Sequence, residues 1–325
     1  MLICARSAFL SRSVGWKLSF KRTLSSFSKL FESIYEYNLE PKEKWPKATP
    51  EMMYDFDQYG FVLVKKLLSS GEIAKMKPAL MDDTFYDKLG YFRRNERWGL
   101  VMWTEQGQDG LGILAGSAKV AGLAEQLLNR GEVYLYHGKL LRKAARAGGA
   151  AAWHQDYGQY YRNELVFPDL ISCTIALTTM DRKNGGTTVI QSSHHCGRLD
   201  HSVMPSQQGA DEQRVHLIMK SLPLVDLSME PGDAAFLHGN LVRSSAANES
   251  TSERCHLKLV YNAKHNAPAI KHDYSDSVYT KLEMHPADAL PNQSHFTVQP
   301  RAWRQTEQSE QQARGLLDQD TVWDL

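Results

Sequence analysis

Trp153-His154-Gln155-Asp156-Tyr157 is the stretch on which the fold assignment turns. It sets an imidazole and a carboxylate two residues apart. In an extended segment, side chains at i and i+2 share a face about 6–7 Å apart along the strand, so both can grip one ion. A neutral imidazole nitrogen and a carboxylate oxygen suit Fe(II), and a distant histidine would complete a facial triad that leaves positions open for oxygen and a cosubstrate. A simple His–Asp hydrogen bond is the other reading, and the pair alone does not choose between them.

Outward from this stretch the chain has the texture of short strands and turns. Val133-Tyr134-Leu135-Tyr136-His137 alternates, as does Leu170 to Leu177. Asn184-Gly185-Gly186 signals a turn before Thr187-Thr188-Val189-Ile190. Val225 to Met229 alternates again, Pro231-Gly232-Asp233 turns into Ala234 to Leu237, and His256 to Tyr261 forms a final strand. Helices come earlier: a helical pattern over Glu51 to Tyr59, a capping sequence at Ser69-Ser70-Gly71-Glu72, and an amphipathic stretch from Val120 to Leu128. Strands with helices packed on one side predict a mainly β, α+β fold of sandwich or barrel type.

Composition narrows the function classes. The 325 residues are 42% hydrophobic and 23% charged, ordinary for a globular chain. Lys and Arg number 38 against 37 Asp and Glu, so nothing favours a nucleic-acid partner. Cys4, Cys173, Cys196 and Cys255 stand singly, which excludes a zinc ribbon, a zinc deaminase cysteine pair and a disulfide framework. No apolar run is long enough to span a bilayer, and no G-x-S-x-G nucleophile elbow is present.

Residues 1–31 contain no acid before Glu32, with Arg6, Arg12, Lys17, Lys21, Arg22 and Lys29 among serines and apolar residues. This reads as a mitochondrial transit peptide, with a basic tail carrying no address as the alternative. Residues 32–50 read as a Pro- and Lys-rich linker, 51–290 as the folded domain, and 291–325 as a Gln/Glu-rich tail.

The pieces taken in order resemble the phytanoyl-CoA dioxygenase family, particularly its proline-hydroxylase-like members. They are the strand with His137 and Lys139, then Trp153 to Tyr157, Phe167-Pro168-Asp169, Asn184-Gly185, Ser193-His194, Pro231-Gly232-Asp233 and Ser245 to Ser250. The likeness covers roughly Phe56 to His272. It implies a double-stranded β-helix (jelly roll), with His154 and Asp156 as iron ligands. It implies 2-oxoglutarate as cosubstrate, held at its distal carboxylate by Arg254 with Ser245 in support and Lys139 nearby. The chemistry implied is hydroxylation of a C–H bond in a small molecule, an amino-acid-like one favoured. His194 matches a turn histidine of the family, not a ligand.

The pattern breaks at one position. The family's third iron ligand is a histidine two residues before the serine and eleven before the arginine, and counting back from Ser245 and Arg254 both lead to Arg243. A guanidinium has no lone pair to give a metal. Three readings stay open: His238 substitutes as ligand through a bulge, iron binds weakly through His154, Asp156, 2-oxoglutarate and water with low or altered activity, or Arg243 sits in the metal position and pairs with Asp156. The last would make the chain a catalytically impaired relative or a 2-oxoglutarate-binding module.

Overall fold

The computed structural model describes residues 35–39, 43–89, 91–93, 98–146, 149–161, 165–203, 208–268 and 279–297. All the helices and strands that follow belong to one compact unit that begins at Tyr35. The leader expected over residues 1–31 lies outside the described residues.

Local chemistry sets the first elements. Helix α1 (Pro50–Tyr59) opens on Thr49, whose hydroxyl accepts the Met52 N–H at 3.2 Å, with Pro50 in the first turn. It closes on Gly60 at φ 82°, where a Cβ would stand 2.6 Å from Nδ1 of His194, so both conformation and space demand glycine. The β-branched and aromatic run that follows forms β2 (Phe61–Lys65). Helix α2 (Ser70–Leu80) carries the capping box expected from its sequence, Ser69 and Glu72 each satisfying the other's backbone N–H.

The remaining helices are α3 (Asp83–Leu89), α4 (Gly110–Ala115), α5 (Leu123–Leu128), α6 (Asp156–Tyr160) and α7 (Glu212–Ser221). The strands are β1 (Glu36–Asn38), β3 (Tyr91–Arg93), β4 (Trp98–Trp103), β5 (Val133–Lys143), β6 (Ala151–His154), β7 (Leu170–Ala176) and β8 (Thr187–Ile190), followed by β9 (His201–Val203), β10 (Gln208–Ala210), β11 (Leu224–Asp226), β12 (Ala234–His238), β13 (Arg243–Ser245) and β14 (Arg254–Ala263). An eight-stranded sheet runs β1-β2-β12-β7-β14-β5-β4-β3, and a four-stranded sheet runs β11-β8-β13-β6. This is the double-stranded β-helix, with helices covering the outer face of the large sheet.

That covering explains why β14 is buried along its whole length. Cys255, Leu257, Leu259 and Tyr261 join the main apolar core with Val120, Leu123, Ala124 and Leu127 of the helical layer. By the two-residue period of a strand, Arg254, His256 and Lys258 then point the other way, between the sheets.

Two boundaries and one helix differ from the sequence reading. The stretch read as a linker contains β1, which pairs in parallel with β2 and so extends the large sheet. The segment before residue 298 also packs on the domain: the Gly110 N–H donates to the His295 carbonyl, and Phe296 is buried. Helix α7 is absent from the sequence reading, because its buried face rests on only Val215 and Ile218. No helix among the described residues is long and apolar enough to cross a membrane.

Candidate functional site

Strand parity gathers the polar residues into one cavity between the sheets. In the β14–β5 ladder Arg254 stands opposite Lys143, His256 opposite Leu141 and Lys258 opposite Lys139. Opposed residues of an antiparallel pair share a face, so the large sheet turns a column of cations inward. The small sheet supplies the facing wall, where Arg243 of β13 is directly opposite His154 of β6. The cavity is lined by Lys143, His154, Arg243, Ser245, Arg254, His256 and Lys258, with Leu141, Ala151, Thr187 and Ser244 completing it.

Behind Arg243 and Lys258 of this lining is Asp156, 2% exposed. His154 ends β6 and Asp156 begins α6, and their side chains meet with Nε2 and Oδ1 3.9 Å apart. Nη2 of Arg243 donates to Oδ1 of Asp156, and Nζ of Lys258 donates to the same oxygen at 3.1 Å. The His154 ring is oriented by a 2.8 Å hydrogen bond between Nδ1 and the Ala152 carbonyl. That bond makes Nδ1 the N–H and leaves Nε2 a lone pair, and Nε2 is buried with no hydrogen-bond partner among the described residues.

The charges follow from this packing. Burial alone would raise the Asp156 carboxyl, but Arg243 and then Lys258 overcome it and hold it well below the usual carboxylate range. Burial, reinforced by Arg243, lowers His154 to about 3, so the ring is neutral at physiological pH. The Lys258 ammonium is lowered to about 8, first by burial and then by Arg243, with Asp156 opposing both. The lining thus carries four cationic side chains and no acid, and two of them, Arg243 and Lys258, are held by the Asp156 carboxylate behind it.

The structure brings together His154, Asp156, Arg243, Ser245 and Arg254. Ser245 Oγ accepts from Lys143 Nζ at 3.4 Å. Lys139 is buried opposite Lys258 but does not line the cavity. His238 is not brought to this site. Its Nδ1 accepts the Asn240 N–H at 3.0 Å, and its ring packs against Phe56 and His194 on the helical side. Among the described residues, no group of three or more His, Cys, Asp or Glu side chains is placed to hold a metal ion. His194 is a turn residue whose Nε2 donates to the Asp57 carbonyl at 2.8 Å.

The aromatic residues near the motif serve packing. Tyr157 and Tyr160 cluster with Tyr134 and Tyr136, Trp103 joins the main core, and Trp153 faces α7 on the outer side of β6. Sequence reasoning missed Lys143, His256 and Lys258. The available signal was in β14, where Arg254, His256 and Lys258 alternate with the apolar Cys255, Leu257 and Leu259.

A jelly roll with a His-x-Asp pair at one mouth, between its sheets, is the scaffold of the iron- and 2-oxoglutarate-dependent oxygenases. The chain belongs to the phytanoyl-CoA dioxygenase (PhyH) family, whose pattern matches residues 56–255. It is 31% identical over 166 residues to L-proline trans-4-hydroxylase of Streptomyces griseoviridis, a match covering 46% of this chain and 62% of that enzyme's length. It is 23% identical over 243 residues to ectoine dioxygenase of Nocardia farcinica, covering 68% of this chain and 80% of that enzyme. Crystal structures of EctD from S. alaskensis superimpose with TM-scores of 0.62 with bound Fe and 0.60 with 2-oxoglutarate and 5-hydroxyectoine. Each covers 79% of this chain and 94% of EctD, at 19% and 18% identity. Related proteins of the family fold are thus iron- and 2-oxoglutarate-bound enzymes acting on small molecules.

Proposed function

We propose that this chain is a metal-independent member of its family, a catalytically impaired relative that keeps the carboxylate pocket and binds 2-oxoglutarate or a close analogue without iron. One observation carries the reading: the Arg243 guanidinium, set opposite His154, closes on Asp156. The donor set does not fit iron. His154 and Asp156 offer two protein donors, and a second cation, Lys258, already lies on the same carboxylate oxygen. A divalent ion brought beside two fixed positive charges meets repulsion in a low-dielectric interior. The pocket is supported independently by Arg254 with Ser245 and Lys143, since a planar guanidinium takes a carboxylate bidentately.

Anaerobic Fe(II) titration and 2-oxoglutarate calorimetry, with and without EDTA, test this. The expected result is 2-oxoglutarate binding in EDTA and no stoichiometric iron in the natural chain, with iron binding gained in Arg243→His. Stoichiometric iron with succinate release in the natural chain overturns the reading.

One observation favours a second reading, hydroxylation of a small amino-acid-like substrate. The buried Nε2 of His154 has a lone pair and no hydrogen-bond partner among the described residues, a geometry that suits a ligand if Arg243 withdraws. Succinate release dependent on added proline or ectoine would support it. A mitochondrial address for residues 1–31 belongs to the same proposal, and mapping the N-terminus of the protein from cells tests it.

A further inference from the structure

Two cations reach Asp156 from opposite walls of the jelly roll, and only one of them stands where the family pattern expects a metal ligand. Arg243 comes from β13 of the small sheet and Lys258 from β14 of the large one. Both donate to Oδ1, which is also the Asp156 oxygen 3.9 Å from Nε2 of His154. It is therefore the oxygen that a metal shared with His154 would use. A carboxylate oxygen offers two lone pairs, and here the guanidinium takes one and the ammonium the other.

Burial fixes Lys258 in this role. Its side chain is 2% exposed, near the middle of β14, between Lys139 on β5 and Thr174 on β7. Neither neighbour is an acid, and the cavity lining offers none. An ammonium withdrawn from water keeps its charge only when it is paired and hydrogen-bonded, and Asp156 is the carboxylate that pairs it. Because this bond comes from the large sheet, it does not depend on what β13 places opposite His154.

We infer, resting on the metal-independent reading above, that Lys258 is a second and independent block to metal: the chain excludes a divalent ion at two positions, and Arg243→His alone reopens only part of the site. That substitution supplies a third neutral donor and frees one lone pair of Oδ1. The Lys258 ammonium keeps the other. Its charge then stands beside an incoming ion in a low-dielectric interior, where repulsion between like charges is strong. The carboxylate is also already compensated, so a metal gains less by neutralising it.

Anaerobic calorimetry on the full chain, with Fe(II) as the probe and no 2-oxoglutarate, tests this. Lys258→Gln, which keeps a donor for Oδ1 and removes the charge, is expected to bind no stoichiometric iron by itself, because Arg243 remains. Arg243→His with Lys258→Gln should bind Fe(II) more than about ten-fold tighter than Arg243→His alone. Arg243→His with Lys258→Arg, which keeps the charge, should show no such gain. Melting temperatures in EDTA report the fold of each variant, and their rise on adding Fe(II) gives the same order by a second route. Equal iron affinity with and without Lys258→Gln in the Arg243→His background overturns this inference alone. So does an equal gain from Lys258→Arg, or a folded double variant with Lys258→Gln that binds no iron. Stoichiometric iron in the natural chain overturns the metal-independent reading itself.

Discussion

Arg243 and Asp156 form a buried ion pair in which the guanidinium reaches across from β13 to a carboxylate at the first residue of α6. Lys258 joins from the opposite sheet, so the carboxylate ties both walls of the jelly roll together.

Breaking this group from different sides should have unequal effects. Removing one partner of a buried pair costs about 3–5 kcal/mol, because the other charge stays buried uncompensated. Asp156→Asn abandons two cations at once and should lie at or above the upper end of that range. Lys258→Met leaves Arg243 on Asp156 and should cost less than either Asp156→Asn or Arg243→Met. Urea unfolding of the three variants checks the order. Equal losses would show that the triad does not act as described.

Two histidines away from the cavity should make the fold acid-sensitive. Burial lowers His194 to about 4 and His238 to about 3. An unfolded imidazole titrates near 6.5, so between these values the unfolded chain holds more protons. Stability is therefore complete above about pH 6.5 and falls as the pH drops toward 4. Urea midpoints across that window should slope upward with pH. His238→Asn, which keeps an acceptor for the Asn240 N–H, should flatten the slope.

Glu72 has two roles that can be separated. It completes the capping box of α2 and accepts from Lys119 Nζ at 2.6 Å in a buried pair. Ser69→Ala removes cap bonds only and should cost about 1 kcal/mol. Glu72→Gln retains an acceptor for the cap but strands the Lys119 charge, and should cost about 3 kcal/mol or more. Thermal unfolding of the two variants distinguishes them.

Gly158 is required by a contact next to the motif. A Cβ there would stand 2.0 Å from the His201 ring, whose Nε2 accepts the Gln155 N–H at 2.9 Å. Gly158→Ala should displace that ring and cost about 1–3 kcal/mol, as overpacked sites do. It should also weaken 2-oxoglutarate binding, because Gln155 lies between His154 and Asp156. Unchanged affinity with lowered stability would show that the contact supports the fold and not the site.

Much of the fold was legible because its signals are local. The capping box at Ser69 and Glu72, the stop at Gly60 and the turn at Asn184-Gly185 each depend on residues within a few positions of one another. Strand β1 was not legible, since its three residues become a strand only by pairing with β2. Arg243 as the departure from the family pattern was legible by counting from Ser245 and Arg254. Lys143, His256 and Lys258 were not, because a buried cation in an apolar strand reads as an anomaly until the facing wall is known.

The sequence by itself determined the family, the alternation of strands and the identity of the residue at the third corner, because motif order and side-chain chemistry are properties of the chain. Which way Arg243 points was a tertiary matter. Only the approach of β13, β6 and β14 set its guanidinium on Asp156 beside Lys258, since a charge finds its partner by the stacking of sheets and not by its place along the chain.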